Sequence, residues 1–370
     1  MATTFLEPGG DADFLVGTTN GFWGTGSGVV VATDFVHGGH KKSIKYGTVA
    51  NILSTGAVLS DAGSRISFYI YFNVLPTPGA SVLFQLVNAS NATVVDFLML
   101  ATGVIRLRNG ASTQIGTNGA ALSAGQWYRI SLAYTITSTT VNRFELFVNG
   151  ISSISITNAT LTNITTNALR IANFNANGVD FRTSDHYIDN SSSLTDPGNI
   201  WVTAKRPVSN GTTNGFTTQI GAGGSGYGSG HSPQVNERPL STTNGWSMVG
   251  AGSAVIEEYN IEGQSAGDIN ITGATIVDWV GWASMKTLVA ETVQMIIDGA
   301  NVAQAITTTI KLYTKIKGSA TYPAGTGADI GVTTDTSLTT VSLYECGIIV
   351  AYIPGNASPP RRRMFPGIAR

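Results

Sequence analysis

The sequence predicts an all-β protein, an antiparallel sandwich followed by a second, smaller β domain. Three observations carry that prediction. Apolar residues recur at every second position in segment after segment, the period of a strand with one buried face. Asn-Gly and Asp-Gly pairs separate these runs, and both members of such pairs tolerate the positive φ of a tight hairpin. Finally, 12% of residues are charged and 44 are glycine, against a usual charged share of about 25%. The apolar fraction of 42% is ordinary, so the chain can fill a core. A length of 370 residues fits two domains.

Residues 1–16 are expected to form a flexible arm, because Pro8, Gly9 and Gly10 interrupt regular structure and few apolar residues anchor it. The glycine-rich run from Phe22 to Gly28 lacks the Lys-Ser/Thr pair of a phosphate loop. It reads as a turn that places Phe22 and Trp23 on the sandwich. Arg65–Val74 alternates strongly and stops before Pro76 and Pro78. Val82–Val87, Val94–Leu100 and Val104–Arg108 follow as short strands, with turn signals at the roughly 8–12-residue spacing of a sandwich. Gln126–Ile156 is the clearest stretch. Tyr128, Ile130, Leu132, Tyr134 and Ile136 alternate with small or polar residues, Phe144, Leu146 and Val148 repeat the pattern, and Asn149-Gly150 turns the chain into Ile151–Ile156. Leu169–Ile188 supplies the last strands of the first domain, which is set at residues 17–206.

Residues 207–253 are rich in Gly, Ser and Thr and read as a linker. A second β domain is expected over 254–355. Thr275–Met285 is apolar on both faces, with Trp279 and Trp282 among them. Glu291–Asp298 has helix formers, but Val293, Met295 and Ile297 alternate and Asp298-Gly299 is a hairpin signal, so a strand is predicted. Ala305–Lys317 and Thr339–Ile353 are further long strands. Two-faced strands in a small domain leave apolar surface uncovered, so this domain is expected to oligomerise, with a trimer preferred. Residues 356–370 form a basic tail. Arg361, Arg362 and Arg363 give too weak an electrostatic grip for nucleic acid.

A net charge of −1 provides no field for nucleic acid or an anionic membrane. Cys346 is the single cysteine, which excludes an internal disulfide, and its apolar strand context marks it as a buried hydrophobe. The first residues show neither a basic segment nor an apolar core of a signal peptide, and no apolar run reaches membrane-spanning length. Asn-X-Ser/Thr triplets at Asn88, Asn91, Asn158, Asn163 and Asn190 are read as a by-product of composition.

No catalytic, cofactor-binding or metal residues are assigned. His37, His40, His186 and His231 lack zinc spacing, and the two imidazoles of His37-Gly38-Gly39-His40 do not close a site. Asp185, His186 and Asp189 are a candidate cation constellation, but the preferred reading is solvated loop polars. Glycoside hydrolysis needs two carboxylates placed together. The nearest approach, Glu257, Glu258 and Glu262, lies outside the first domain, so the chain is read as no enzyme.

Two sets of residues carry a resemblance. The Trp127-Tyr128-Arg129 strand and the strand closing in Phe147-Val148-Asn149-Gly150 resemble the central hairpin of laminin-G-like, concanavalin-type jelly rolls. After these come Tyr187-Ile188-Asp189-Asn190, Trp201–Val208, Val235-Asn236-Glu237-Arg238-Pro239 and Ile256–Ile261. That order resembles tailed-bacteriophage virion proteins that join a lectin-like jelly roll to an oligomerising β domain. The resemblance implies a non-catalytic structural protein on the outside of a particle, as a capsid decoration, head fibre or tail appendage. Virion localisation, other virion proteins as partners and weak binding of cell-surface glycans follow from it, with no cofactor, nucleic acid or membrane. Asn190 stands where a second Asp is usual, which weakens any inference about metal. The alternative is a free carbohydrate-binding lectin.

Overall fold

The computed structural model describes residues 2–7, 25–27, 29–47, 52–77, 79–172, 177–216, 218–220, 231, 245–249, 255–267, 269–318, 321–325, 328–334 and 340–355. Phe22, Trp23 and the Arg361–Arg363 tail lie outside them. Among the described residues every regular element is a strand, and every strand pairing is antiparallel.

The first strands in chain order are β1 (Ala2–Glu7), β2 (Thr25–Ser27), β3 (Val30–Ala32), β4 (Ser43–Tyr46), β5 (Ile52–Ser54), β6 (Ser64–Val74), β7 (Ala80–Val87) and β8 (Thr93–Leu100). Next come β9 (Ile105–Asn109), β10 (Gln114–Ile115), β11 (Trp127–Ile136), β12 (Asn142–Val148), β13 (Ile151–Thr157), β14 (Ala168–Ala172) and β15 (Asp180–Asn190). They build two sheets. The first has the order β13-β12-β11-β6-β15-β4-β3, with β1 also on β15, and the second runs β10-β9-β8-β7-β14-β5-β2.

The inner faces of these sheets share one core. Ile66, Phe68, Ile70 and Phe72 point into it from β6, and Tyr128, Ile130, Leu132 and Tyr134 from β11. Phe84, Phe97 and Leu107 meet them from the second sheet. Register makes the packing specific: Ile130 sits opposite Phe68 on one side and Val148 on the other. The Phe84 and Phe97 rings stack at 4.3 Å across β7 and β8. Asn149 and Gly150 have φ of 51° and 84°, the double positive that a two-residue hairpin requires.

The second unit contains β16 (Trp201–Lys205), β17 (Pro207–Asn214), β18 (Thr218–Ile220), β19 (Gly245–Val249), β20 (Ile256–Ile261) and β21 (Thr275–Thr287). It continues with β22 (Glu291–Ile297), β23 (Ala300–Ile306), β24 (Lys311–Ile316), β25 (Asp329–Thr333) and β26 (Thr340–Ile353). One sheet has the order β18-β19-β26-β21-β24 with β16 also on β26, and the other runs β17-β20-β25-β22-β23. Tyr259, Trp279, Met285, Met295, Ile330, Leu343 and Ile348 fill the space between them. Cys346 is buried in that core as expected, and burial raises its thiol pKa well above the ordinary value.

Several expectations need correction. Residues 2–7 are not a loose arm, since Ala2–Glu7 extends the first sheet by pairing with β15 and buries Leu6. Trp201–Lys205, counted in the first domain, pairs with β26 of the second unit. Pro207–Asn214, counted as linker, pairs with β20. The single strand expected over 305–317 is two strands. Ala300–Ile306 pairs with β22, whereas Lys311–Ile316 crosses to the other sheet and pairs with β21.

Trp279 and Trp282 are both fully buried, but in different places. Trp279 faces the core of the second unit. Trp282 faces the other way, in a cluster with Val280, Ile349, Ala351, Val202, Ala204 and Ile200, joined by Leu6 and Tyr187 of the first unit. The second apolar face of β21 is therefore covered by the same chain, which removes the reason the sequence offered for an oligomer.

Candidate functional site

Three of the sequence candidates, His37, His40 and Asp185, meet on the outer face of the first sheet, beside Val202 of the second unit. Asp185 sits at an irregularity of β15, where the register against β6 shifts between Ser184 and Tyr187, and has a φ of 55°. It is fully buried. Its carboxylate accepts hydrogen bonds from His37 Nδ1 at 2.7 Å, His40 Nε2 at 2.8 Å and the Val202 backbone N–H at 2.7 Å. Burial alone would raise this carboxyl. The attraction of His40 and the hydrogen bonds of both histidines outweigh it and hold Asp185 well below the ordinary carboxylate range.

The His37–His40 segment is thus a turn that delivers two imidazoles to a carboxylate far away in sequence. The His40 N–H donates to the His37 carbonyl at 3.1 Å. Gly38, at φ +56°, lies so close to the Trp201 ring that an added Cβ would come within 2.4 Å of it. His37 stacks on Tyr69 at 3.7 Å and meets Trp127 and Trp201 edge-on. Nearby, Arg129 forks onto Asp196 at 2.6 and 2.7 Å, fixing the crossing segment between β15 and β16. This is a structural joint, packed and internally paired.

Asp185, His186 and Asp189 are not solvated loop polars, since all three are buried in β15, and as a candidate cation constellation they do not converge. Asp185 is taken by the two histidines, His186 Nε2 lies 3.0 Å from Thr183 Oγ1, and Asp189 pairs with Arg65 at 2.7 Å. Among the described residues no group of three or more His, Cys, Asp or Glu is placed to hold a metal. Nor do the three glutamates of the second unit converge. Glu257 is buried and accepts from His231 Nδ1 at 2.7 Å and from Phe216 N–H at 2.9 Å. Glu258 alternates to the opposite face of β20, and Glu262 accepts from the Arg206 N–H.

The arrangement that sequence reading missed lies on the far side of the sandwich, on the outer face of the second sheet. Leu53, Leu169, Ile171, Phe84, Leu86, Val95, Phe97 and Leu107 point into the core. The residues between them point out. Strand register puts Ser54 opposite Arg170, Arg170 opposite Gln85, Gln85 opposite Asp96, and Asp96 opposite Arg108. Five polar side chains thus form one row across β5, β14, β7, β8 and β9, about 19 Å long at the usual strand spacing.

The row is linked by hydrogen bonds. Gln85 Nε2 donates to Asp96 Oδ1 at 2.6 Å, Arg108 donates to Asp96 Oδ2 at 2.9 Å, and Arg170 donates to Gln85 Oε1 at 3.3 Å and to Asn91 Oδ1 at 3.0 Å. Register continues the row from Arg108 to Gln114 on β10. Gln114 lines a cleft of about 450 Å³ walled by Asn109, Thr113, Ser155, Thr157, Asn158 and Thr160 among others. Ser54, Gln85 and Asp96 are buried among their neighbours, so the groups that a ligand dense in hydroxyls can reach are the half-buried Arg170 and Arg108 and the exposed Gln114 at the cleft. The sequence held one signal of this row: polar residues at the outward positions of strands otherwise strongly apolar.

No family model matches the chain, and no curated protein is similar to it in sequence. Among solved structures it is similar to an endo-β-1,4-glucuronan lyase from the fungus Trichoderma reesei, at 13% identity over 53% of this chain and 99% of that one, with a TM-score of 0.41. It is also similar to domain 4 of AbnA, a GH43 extracellular arabinanase from Geobacillus stearothermophilus, at 14% identity over 52% of this chain and 95% of that one, with a TM-score of 0.36. A Trypanosoma rangeli sialidase matches at 12% identity over 43% of this chain, with a TM-score of 0.33, and only 26% of the sialidase is spanned. Likenesses this distant carry nothing of those proteins' chemistry to this chain. Among the described residues no helix is long and apolar enough to cross a membrane.

Proposed function

We propose that this chain is a non-catalytic carbohydrate-binding protein, whose first unit is a lectin-like jelly roll that binds saccharide on the outer face of its second sheet. The carrying observation is the row Ser54-Arg170-Gln85-Asp96-Arg108, in strict cross-strand register on the side away from the second unit. Sugars present pairs of hydroxyls, and planar side chains with two donors or acceptors match them. Asp96 is the single carboxylate in the row and is tied to Gln85 and Arg108. Glycosidic hydrolysis by the usual paired-carboxylate route needs a second one beside it, which supports a binding role. Glycan-array screening of the full chain tests this, followed by titration of the best glycan against Gln85→Ala and Asp96→Ala. Loss of about tenfold or more in affinity, with an unchanged circular-dichroism spectrum, is expected. No binding across the array refutes it.

A second reading places this module on the exterior of a bacteriophage particle, and two features favour it. The segment order resembles such virion proteins, and Leu288 and Val289, at 68% and 55% exposure, form an apolar tip between β21 and β22 suited to docking. A homotrimer is the assembly the resemblance implies, with the Leu288–Val289 tip as its candidate contact. Light scattering of the full chain reads the oligomer, and mass spectrometry of purified virions reads the location. A monomer at micromolar concentration and absence from particles leave the free lectin.

A further inference from the structure

We propose that the outer face of the second sheet selects an acidic saccharide, with sugar carboxylates bound by Arg170 and Arg106; the inference rests on the carbohydrate-binding reading above. The argument is one of charge compensation. On the first sheet, buried arginines meet carboxylates: Arg65 with Asp189, Arg129 with Asp196, and Arg182 with Asp34 and Asp180. Among the described residues of the second sheet only Arg108 does, through Asp96. Arg170 donates to the amide oxygens of Gln85 and Asn91, and Arg106 Nε donates to the amide oxygen of Asn118 at 2.7 Å. Neither has a carboxylate partner among the described residues.

A guanidinium that is partly buried against neutral groups gives up solvation without gaining an opposite charge. Burial lowers the pKa of Arg170, and no acidic group acts against it. The two uncompensated cations sit on β14 and β9, three strand spacings apart, or about 14 Å. Arg108, paired with Asp96, ends the row on β9, and Arg106 lies off the row on the same strand, one outward position away and opposite Leu98. An oligosaccharide laid obliquely across the strands would place acid groups on Arg170 and Arg106 and pass between them over the buried Gln85–Asp96 pair. Bidentate pairing of guanidinium with carboxylate then supplies the missing charge in a fixed geometry.

Calorimetric titration of the full chain with tetragalacturonate, its carboxyl-reduced neutral counterpart and sialyllactose tests this at two salt concentrations. At least one carboxylate-bearing sugar is expected to bind about tenfold or more tighter than the neutral tetrasaccharide, with affinity falling as salt rises. Arg106→Gln is expected to reduce that preference severalfold while leaving neutral-sugar binding within about twofold, and Arg170→Gln to weaken both sugars, the acidic one by about tenfold more. The two acidic probes separate a uronate from a sialate source. Equal binding of acidic and neutral sugars overturns the acid preference and leaves the carbohydrate reading standing. Binding of neither overturns both. Tighter, sequence-independent binding of a short single-stranded oligonucleotide also overturns the saccharide assignment.

Discussion

At the scale of single residues, Asp185 joins the two units. Its folded-state pKa is depressed, so its contribution is complete above the unfolded carboxylate value of about 4 and is lost as pH falls through the folded value. Asp185→Asn is expected to lower stability at neutral pH by about 3–5 kcal/mol, because it removes one partner from a buried charged network. The gap between wild type and variant should narrow as pH drops below about 4. Urea unfolding at neutral and acid pH reads both, and a gap independent of pH counts against this role. Cys346 gives the opposite kind of prediction. Fully buried with a strongly raised thiol pKa, it should resist iodoacetamide in the native protein and react once urea unfolds the chain.

Hairpins are what the elements of this chain depend on. Asp298 and Gly299 turn β22 into β23 at φ of 51° and 72°, and no atom lies within 4 Å of a Cβ added at Gly299. Gly299→Ala therefore isolates the backbone term and should cost about 1–2 kcal/mol. Gly56 has equally open surroundings without a positive φ, so Gly56→Ala should be neutral or slightly stabilising. Thermal melts of the two variants read the difference, and equal effects would show that the turn does not set the hairpin. Strands are the features most legible in the sequence. Alternation located β6, β11, β12, β22 and β26 to within a few residues, because a half-buried strand writes its period into the sequence. It failed over 305–317, where two short strands in different sheets share one run of alternation.

For the whole molecule, the question is whether the units are independent. Trp282, Ile349, Val202, Leu6 and Tyr187 form an apolar core between them, and Arg129–Asp196 and the Asp185 node bracket it with polar contacts. One calorimetric transition is expected for the intact chain. Trp282→Ala should cost about 3–5 kcal/mol and split that transition in two. A single transition shifted uniformly would mean that Trp282 acts within one unit only. A fragment beginning at residue 251 would lack β16, β17, β18 and β19, so the second unit is best tested with its strands from Trp201 onward.

The sequence by itself determined that the chain is all-β, where most strands and tight turns fall, and that Cys346 is buried. Those features are local: a period of two, a residue pair that accepts positive φ, a thiol in an apolar run. Only the tertiary structure decided which strands are neighbours. It carried Trp201–Lys205 to β26, brought His37 and His40 onto Asp185, covered Trp282 from within the same chain, and aligned Ser54, Arg170, Gln85, Asp96 and Arg108 in one row. Each of these joins residues on separate strands, and the pairing that unites them depends on register and sheet order, which alternation along one strand cannot encode.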